Sequence, residues 1–181
     1  TLKIIKKYKS KINKFISKKD KGIYDAFNKG ISLARGKFIC IVNSDDILKP
    51  KALSIIHKYI NKYPKIDFIF GSVKKHWGIL HGYKPDKISY SWGFYSSHST
   101  GFYISRLAAK KVGFYNTQYK FHADYDYFYR MIVKKKLKGM ATKRNEIIGI
   151  FRRGGFSSTI PYRKMFVEEL KIRYDNGQSI I

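Results

Sequence analysis

The sequence predicts an α/β fold, and three observations predict it. Phe38 to Val42 is a continuous apolar run with β-branched residues, with Gly36 before it and a polar cluster after it. It reads as a buried strand covered on both faces of a sheet. Ile66 to Val73 is a second such run. Around these runs lie stripes of helical period: Ile23, Phe27, Ile31 and Ala34 before the first, and Leu53, Ile56 and Ile60 before the second.

The remaining elements follow in order. Leu2, Ile4, Ile5 and Tyr8 mark a short basic amphipathic helix, and Ile12 to Ser17 a short strand. Residues 17–22 form a polar turn, and Gly36 closes the helix that begins near Ile23. Asp25 and Asn28 lie off that helix's apolar face, three residues apart and adjacent on its surface. An acid in a first turn also suits the helix dipole, which is an alternative account of Asp25. Pro50 opens the next helix and Tyr63-Pro64 ends it. Lys74 to Gly93 is aromatic and dotted with glycine, and reads as strand pieces and loops beside a cleft. Phe102 to Ile104 is a short strand; Ser105 caps a helix that Gly113 closes. A helix runs from Ala123-Asp124 to about Lys135, with Phe128, Met131 and Ile132 facing the core. Leu137 to Thr142 and Glu146 to Phe151 are two further strands. Arg152 to Ser157 is a basic loop, and Tyr162 to Tyr174 a last helix.

With 181 residues, 44% of them hydrophobic, the chain can bury one core, and no repeat or linker divides it. A formal charge of +26 favours anionic partners, namely nucleic acid, a membrane surface or phosphorylated substrates. Lysine is spread along the whole chain, however, and the accompanying Ile, Tyr and Asn fit a biased coding sequence, so the charge carries little functional weight. Cys40 is the only cysteine and lies within a buried run, so it reads as a core residue. No apolar run in the sequence is long enough to span a membrane, and the expectation is a chain without a signal peptide. The five histidines lack zinc spacing; there is no phosphate-binding Walker loop, no dinucleotide fingerprint and no nucleophile elbow.

Two acid clusters remain, Asp45-Asp46 and Asp124-Tyr125-Asp126. Adjacent carboxylates at the end of a buried strand repel each other and need a cation, a basic partner or water. In open α/β sheets, ligands bind beyond the carboxyl ends of the strands. Asp45 and Asp46 therefore fit either a divalent metal that holds phosphates or the cap of the following helix. A carboxylate base at the second cluster would complete a transferase site, whereas Asp124 as a plain helix-start acid is the structural alternative.

Asp20-Lys21-Gly22-Ile23-Tyr24-Asp25-Ala26-Phe27-Asn28-Lys29-Gly30-Ile31, then Ala34-Arg35-Gly36, then Asn43-Ser44-Asp45-Asp46, resembles the family 2 glycosyltransferases of nonprocessive bacterial type. His98-Ser99-Thr100-Gly101-Phe102 resembles that family's acceptor-side strand, and Ala123-Asp124-Tyr125-Asp126 with Arg130 its catalytic-base segment. Arg153-Gly154-Gly155-Phe156-Ser157 resembles its late glycine loop.

The resemblance implies a Rossmann-like GT-A sheet that binds a nucleotide-sugar donor with Mg²⁺ or Mn²⁺ and transfers the sugar with inversion to a saccharide or lipid-linked acceptor. It implies Asp46 as metal ligand with Asp45 beside it on the metal or the ribose, and Asp124 as the base. It implies Arg153, Asp20, Asp25 and Asn28 on the donor side, and His98, Thr100 and Asp126 on the acceptor side. A cytoplasmic enzyme of surface-polysaccharide synthesis, with a possible peripheral membrane contact and no specific nucleic acid, is what such a member would be. Two departures stand out: Asn43 replaces the first acid of an Asp-x-Asp motif, and the family's opening strand and ribose-binding segment are not matched. The expectation is a single catalytic domain over residues 1–181 that lacks its first strands. The rival expectation is a non-enzymatic basic module for nucleic acid or an anionic membrane.

Overall fold

The computed structural model describes residues 1–91, 94, 99–152, 154 and 160–178. Among these, eight strands form two four-stranded sheets. The first sheet runs β1 (Phe38–Cys40), β6 (Phe102–Ser105), β3 (Phe68–Phe70), β7 (Gly139–Ala141). Strand β6 is antiparallel to both β1 and β3, and β7 is parallel to β3. The second sheet runs β2 (Ile47–Leu48), β8 (Ile147–Ile150), β4 (Ser72–Lys75), β5 (Gly78–Leu80). Strand β8 is antiparallel to β2 and parallel to β4, while β4 and β5 form a hairpin.

The apolar run Ile66 to Val73, expected as one strand, is divided between the sheets at Gly71. A side chain there has no room: a Cβ on Gly71 would lie 1.9 Å from Ile148 Cδ1. Ile148 fills the gap between the sheets, and the chain passes it as bare backbone. Because side chains alternate along β3, Phe68 and Phe70 face one core cluster and Ile69 the other. The first sheet is thus covered on both faces, as expected.

On one face lie α2 (Ile23–Leu33), α4 (Arg106–Val112) and α5 (Ala123–Tyr129), which continues as one π-helical turn over Arg130–Lys134. The rings of Phe102 and Phe128 meet at 4.9 Å and those of Phe70 and Phe128 at 5.3 Å, in edge-on contacts. The other face is covered by α3 (Ala52–Lys62) through Ala52 and Ile56. The last helix, α6 (Tyr162–Asp175), seats Ile172 in the α5 cluster. Helix α4 has the expected caps: Ser105 Oγ accepts the Ala108 N–H at 3.1 Å, and Gly113 ends it at φ 86°.

Several boundaries differ from expectation. The strand at Phe38 stops at Cys40, and Val42 is exposed, because the chain turns where the Asp46 N–H meets the Asn43 carbonyl. The segment Ile12 to Ser17 joins no sheet among the described residues; Phe15 and Ile16 are exposed. Helix α1 (Leu2–Lys7) forms but buries nothing. On α2 the buried residue is Tyr24, with Ile23 turned outward, and on α3 Leu53 faces solvent. Helix α3 begins at Ala52, two residues after Pro50. Among the described residues no helix is long and apolar enough to cross a membrane.

Candidate active site

The turn between β1 and β2 carries Asp45 and Asp46. Asp46 Oδ2 accepts a short hydrogen bond from Thr100 Oγ1, at 2.5 Å. Asp46 Oδ1 is buried and has no hydrogen-bond partner among the described residues. Thr100 has no exposed surface, so it supports the Asp46 carboxylate from behind instead of facing an acceptor. Its seat is cut by a glycine: a Cβ on Gly149 of β8 would lie 2.7 Å from Thr100 Cγ2. Cys40, next to this turn, has its thiol pushed up to about 12 by burial, with the Asp46 charge adding, so it stays a neutral core group.

Asp124 is the second residue of α5. Its Oδ1 accepts the Tyr125 N–H at 2.9 Å and lies 3.2 Å from the Tyr24 hydroxyl, which is also 2.9 Å from the Phe121 carbonyl. Burial, with the Asp124 charge adding, holds the Tyr24 phenol well above its ordinary value, so it remains a donor. The loop before α5 is anchored by Glu168 of α6, which accepts the N–H groups of Lys120, Phe121 and His122 at 2.7, 2.7 and 2.8 Å. Two charge-assisted clamps thus fix the residues that carry Asp124.

A further cation, the half-buried Lys75, is the last residue of β4. Burial lowers its pKa, while the charges of Asp46 and Asp124 both raise it, so one ammonium lies within electrostatic reach of both carboxylates. Sequence reasoning missed Lys75, Tyr24 and Glu168. Tyr24 stood inside the quoted helix motif; nothing local marked Lys75 or Glu168 among so many charged residues.

The other expected residues are distributed as follows. Lys29 Nζ lies 2.6 Å from Asp20 Oδ1 and 2.9 Å from Asp25 Oδ2, and Asp25 also accepts the Lys21 N–H at 2.9 Å. The Lys21 N–H first, and then Lys29, hold the Asp25 carboxyl below its usual value. A pocket of about 380 Å³ opens at this end of α2, lined by Lys21, Tyr24, Asp25, Thr117 and Lys120 among others, and Tyr24 connects it to Asp124. Asn28 is spent on backbone: its Nδ2 donates to the Tyr115 carbonyl and its Oδ1 accepts the Tyr115 N–H, both at 2.9 Å. Asp126 is 4% exposed and bonded to Arg130 Nε at 2.9 Å and Asn176 Nδ2 at 3.0 Å. His98 and Arg153 lie outside the described residues.

Among the described residues no three metal-binding side chains cluster. The unpartnered buried oxygen of Asp46 fits a metal cation: a carboxylate oxygen cut off from water needs a proton, a donor or a metal.

Comparison with known proteins adds the family. Residues 1–124 match the model described as glycosyl transferase family 2. An uncharacterised glycosyltransferase of Methanocaldococcus jannaschii is 30% identical over 141 residues, 71% of this chain and 48% of that protein. A PGL/p-HBAD biosynthesis glycosyltransferase of Mycobacterium tuberculosis is 27% identical over 152 residues, 78% of this chain and 55% of that protein. The chain therefore spans about half the length of the curated relatives it matches. The crystal structure of S. aureus TarS 1-349 in complex with UDP matches with a TM-score of 0.71 over 97% of this chain and 52% of that one, at 14% identity. The same protein in complex with UDP-GlcNAc matches with a TM-score of 0.69 over 96% of this chain and 53% of that one, also at 14% identity. At that identity the likeness shows the fold, which is the GT-A glycosyltransferase fold.

Proposed function

Because the chain belongs to glycosyl transferase family 2, we propose that it moves a sugar from a nucleotide-sugar donor to an acceptor hydroxyl with inversion at the anomeric carbon. The single observation that carries this reading is the Asp46 carboxylate at the turn after β1, one oxygen held by Thr100 and the other buried with no hydrogen-bond partner among the described residues.

Asp124 is the general base. Its Oδ1 is held by the Tyr125 N–H and the Tyr24 hydroxyl, which leaves Oδ2 for the acceptor. The acceptor hydroxyl gives its proton to Asp124 as its oxygen forms a bond to the anomeric carbon. The bond from that carbon to the donor's phosphate oxygen breaks on the opposite face, and the electron pair leaves with the nucleoside diphosphate. Asp46, with Asp45 beside it, would hold Mg²⁺ or Mn²⁺, hard cations suited to oxygen donors. Such a cation supplies positive charge toward the departing diphosphate. Thr100 fixes the rotamer of Asp46 for that task. The end of α2, with Asp20 and Asp25, borders the nucleotide, and Arg153 the diphosphate. His98 belongs to the acceptor side. The donor class follows the S. aureus neighbour, which binds UDP and UDP-GlcNAc. The acceptor is a saccharide or lipid-linked saccharide in surface-glycan synthesis, reached from the cytoplasm at the membrane surface.

The test is Asp124→Asn. Transfer should fall by about a hundredfold or more while metal-dependent binding of the donor persists. Equal turnover by variant and parent would return Asp124 to the role of a helix-start acid.

A further inference from the structure

Lys75 is placed by the register of the second sheet. Ile47 of β2 pairs with Ile150 of β8 in antiparallel register, and Ile150 pairs with Lys74 of β4 in parallel register. Carried one step further, the β4–β8 register sets Lys75 beside Phe151, just past the end of β8, while Asp46 is the residue that precedes β2. Residues opposite one another in a sheet project to the same side. Lys75 and Phe151 are therefore neighbours at the end of the sheet where β4 stops, and Asp46 lies in the turn just before β2 at that same end.

The side chain is supported along its length. Its ammonium lies 4.6 Å from the centre of the Phe151 ring and 5.8 Å from that of Trp77, at the turn of the β4–β5 hairpin. Two aromatic rings hold the cation over their faces, and the charges of Asp46 and Asp124 act on it together. A lysine needed only for solubility would extend into water. This one is folded back over two rings, where the charges of both acids act on it.

We propose that Lys75 is a donor-contacting residue whose ammonium binds the diphosphate of the nucleotide-sugar next to the bond that breaks. This rests on the transferase reading of the same site. The anomeric carbon must lie between the diphosphate and the acceptor oxygen, hence between Asp46 and Asp124. A cation at this end of the sheet, on which the charges of both acids act, is placed to meet the leaving oxygen. It supplies a fixed positive charge there in addition to any divalent cation at Asp46. An ammonium is a compact point charge on a flexible stem, which suits a phosphate whose charge grows as the bond breaks. With substrate bound, the diphosphate is its main anionic partner.

The experiment measures inorganic pyrophosphate binding by calorimetry at physiological salt with metal chelated, and sugar transfer with Mn²⁺ present. The variants are Lys75→Met, which keeps the length and the ring contacts, and Lys75→Arg, which keeps the charge. Lys110→Met removes one charge from the exposed surface of α4 as a control. Lys75→Met should weaken chelator-resistant pyrophosphate binding by about tenfold and lower kcat by about ten- to a hundredfold, the usual scale for one charged contact to a developing anion. Lys75→Arg should recover part of both, and Lys110→Met should match the parent. Pyrophosphate affinity and kcat both within twofold of the parent in Lys75→Met would overturn the inference and leave the transferase reading standing. A parent that binds no pyrophosphate or nucleoside diphosphate, with Mn²⁺ or without, would overturn both.

Discussion

Thr100 and Gly149 act on the site without touching a ligand. The Thr100 hydroxyl is spent on Asp46, and its methyl rests where Gly149 has no side chain. Thr100→Val keeps the shape but leaves Asp46 Oδ2 only the longer contact from Ser99 Oγ at 3.5 Å, a loss of about 1–3 kcal/mol. Gly149→Ala pushes Thr100 off its seat and should have a similar result. Both variants should weaken Mn²⁺-dependent binding of a nucleoside diphosphate by about tenfold, one hydrogen bond's worth of positioning. Titration calorimetry checks this, with circular dichroism to show that the variants fold. Unchanged binding in both would mean that Asp46 needs no support from β8. The pair also shows why this support was invisible in the chain alone. Thr100 and Gly149 are far apart in sequence, and only the pairing of β8 brings them together. The acids themselves were legible, because two carboxylates after an apolar run are conspicuous in a chain with only 12 acidic residues.

At the scale of elements, the second sheet is held to α3 by one ion-and-hydroxyl cluster. Tyr59 of α3 donates to Glu146 Oε2 at 2.5 Å, and the Lys143 N–H donates to the same oxygen at 3.0 Å, closing the turn from β7 to β8. The Tyr59 hydroxyl first, with the Lys143 N–H also contributing, holds the Glu146 carboxyl below its usual value. A depressed folded-state value means that the stabilisation is complete above the ordinary glutamate range. It is lost as the pH falls through the lowered folded value. Tyr59→Phe should therefore melt below the parent at neutral pH, by on the order of 2–4 °C, the shift of one kcal/mol in a domain of this size. The gap should shrink as the pH falls through the lowered folded value, below which the carboxylate is protonated in both proteins. A gap constant over that range would assign the effect to packing.

The same scale shows what periodicity can and cannot reveal. Helices α2, α3, α4 and α6 and strands β6, β7 and β8 were legible in their spacing, caps and glycines. The division of Ile66 to Val73 between two sheets was not, since an unbroken apolar run looks identical whether its neighbours belong to one sheet or two. Gly71 was the only mark of the break, and its meaning depends on Ile148. The exposed Phe15 and Ile16 are the converse case: a strand-like composition that finds no partner strand among the described residues.

For the whole molecule, the question is how a net charge of +26 and a specific anion site are told apart. The proposed site draws Asp46 from the β1–β2 turn, Lys75 from β4 and Asp124 from α5, so a ligand there bridges both sheets and a helix that covers the first. Binding to the folded state alone stabilises it by mass action, about 2.7 kcal/mol at a ligand concentration a hundred times Kd. In a domain of this size that raises Tm by about 5–11 °C. The general positive charge also draws polyanions, but through screened, long-range attraction that weakens steeply between about 50 and 200 mM salt. The expected outcome is thus a two-part response in thermal melts. A nucleoside diphosphate with Mn²⁺ should raise Tm at 200 mM salt, and chelation or Asp46→Asn should remove most of that shift. Random DNA should raise Tm only at low salt, equally in the parent, in Asp46→Asn and with chelator. A DNA shift that survives high salt, beside a nucleotide shift that ignores both Mn²⁺ and Asp46, would favour the basic binding module over the transferase. The two sets of melts separate the charge of the surface from the chemistry of three side chains.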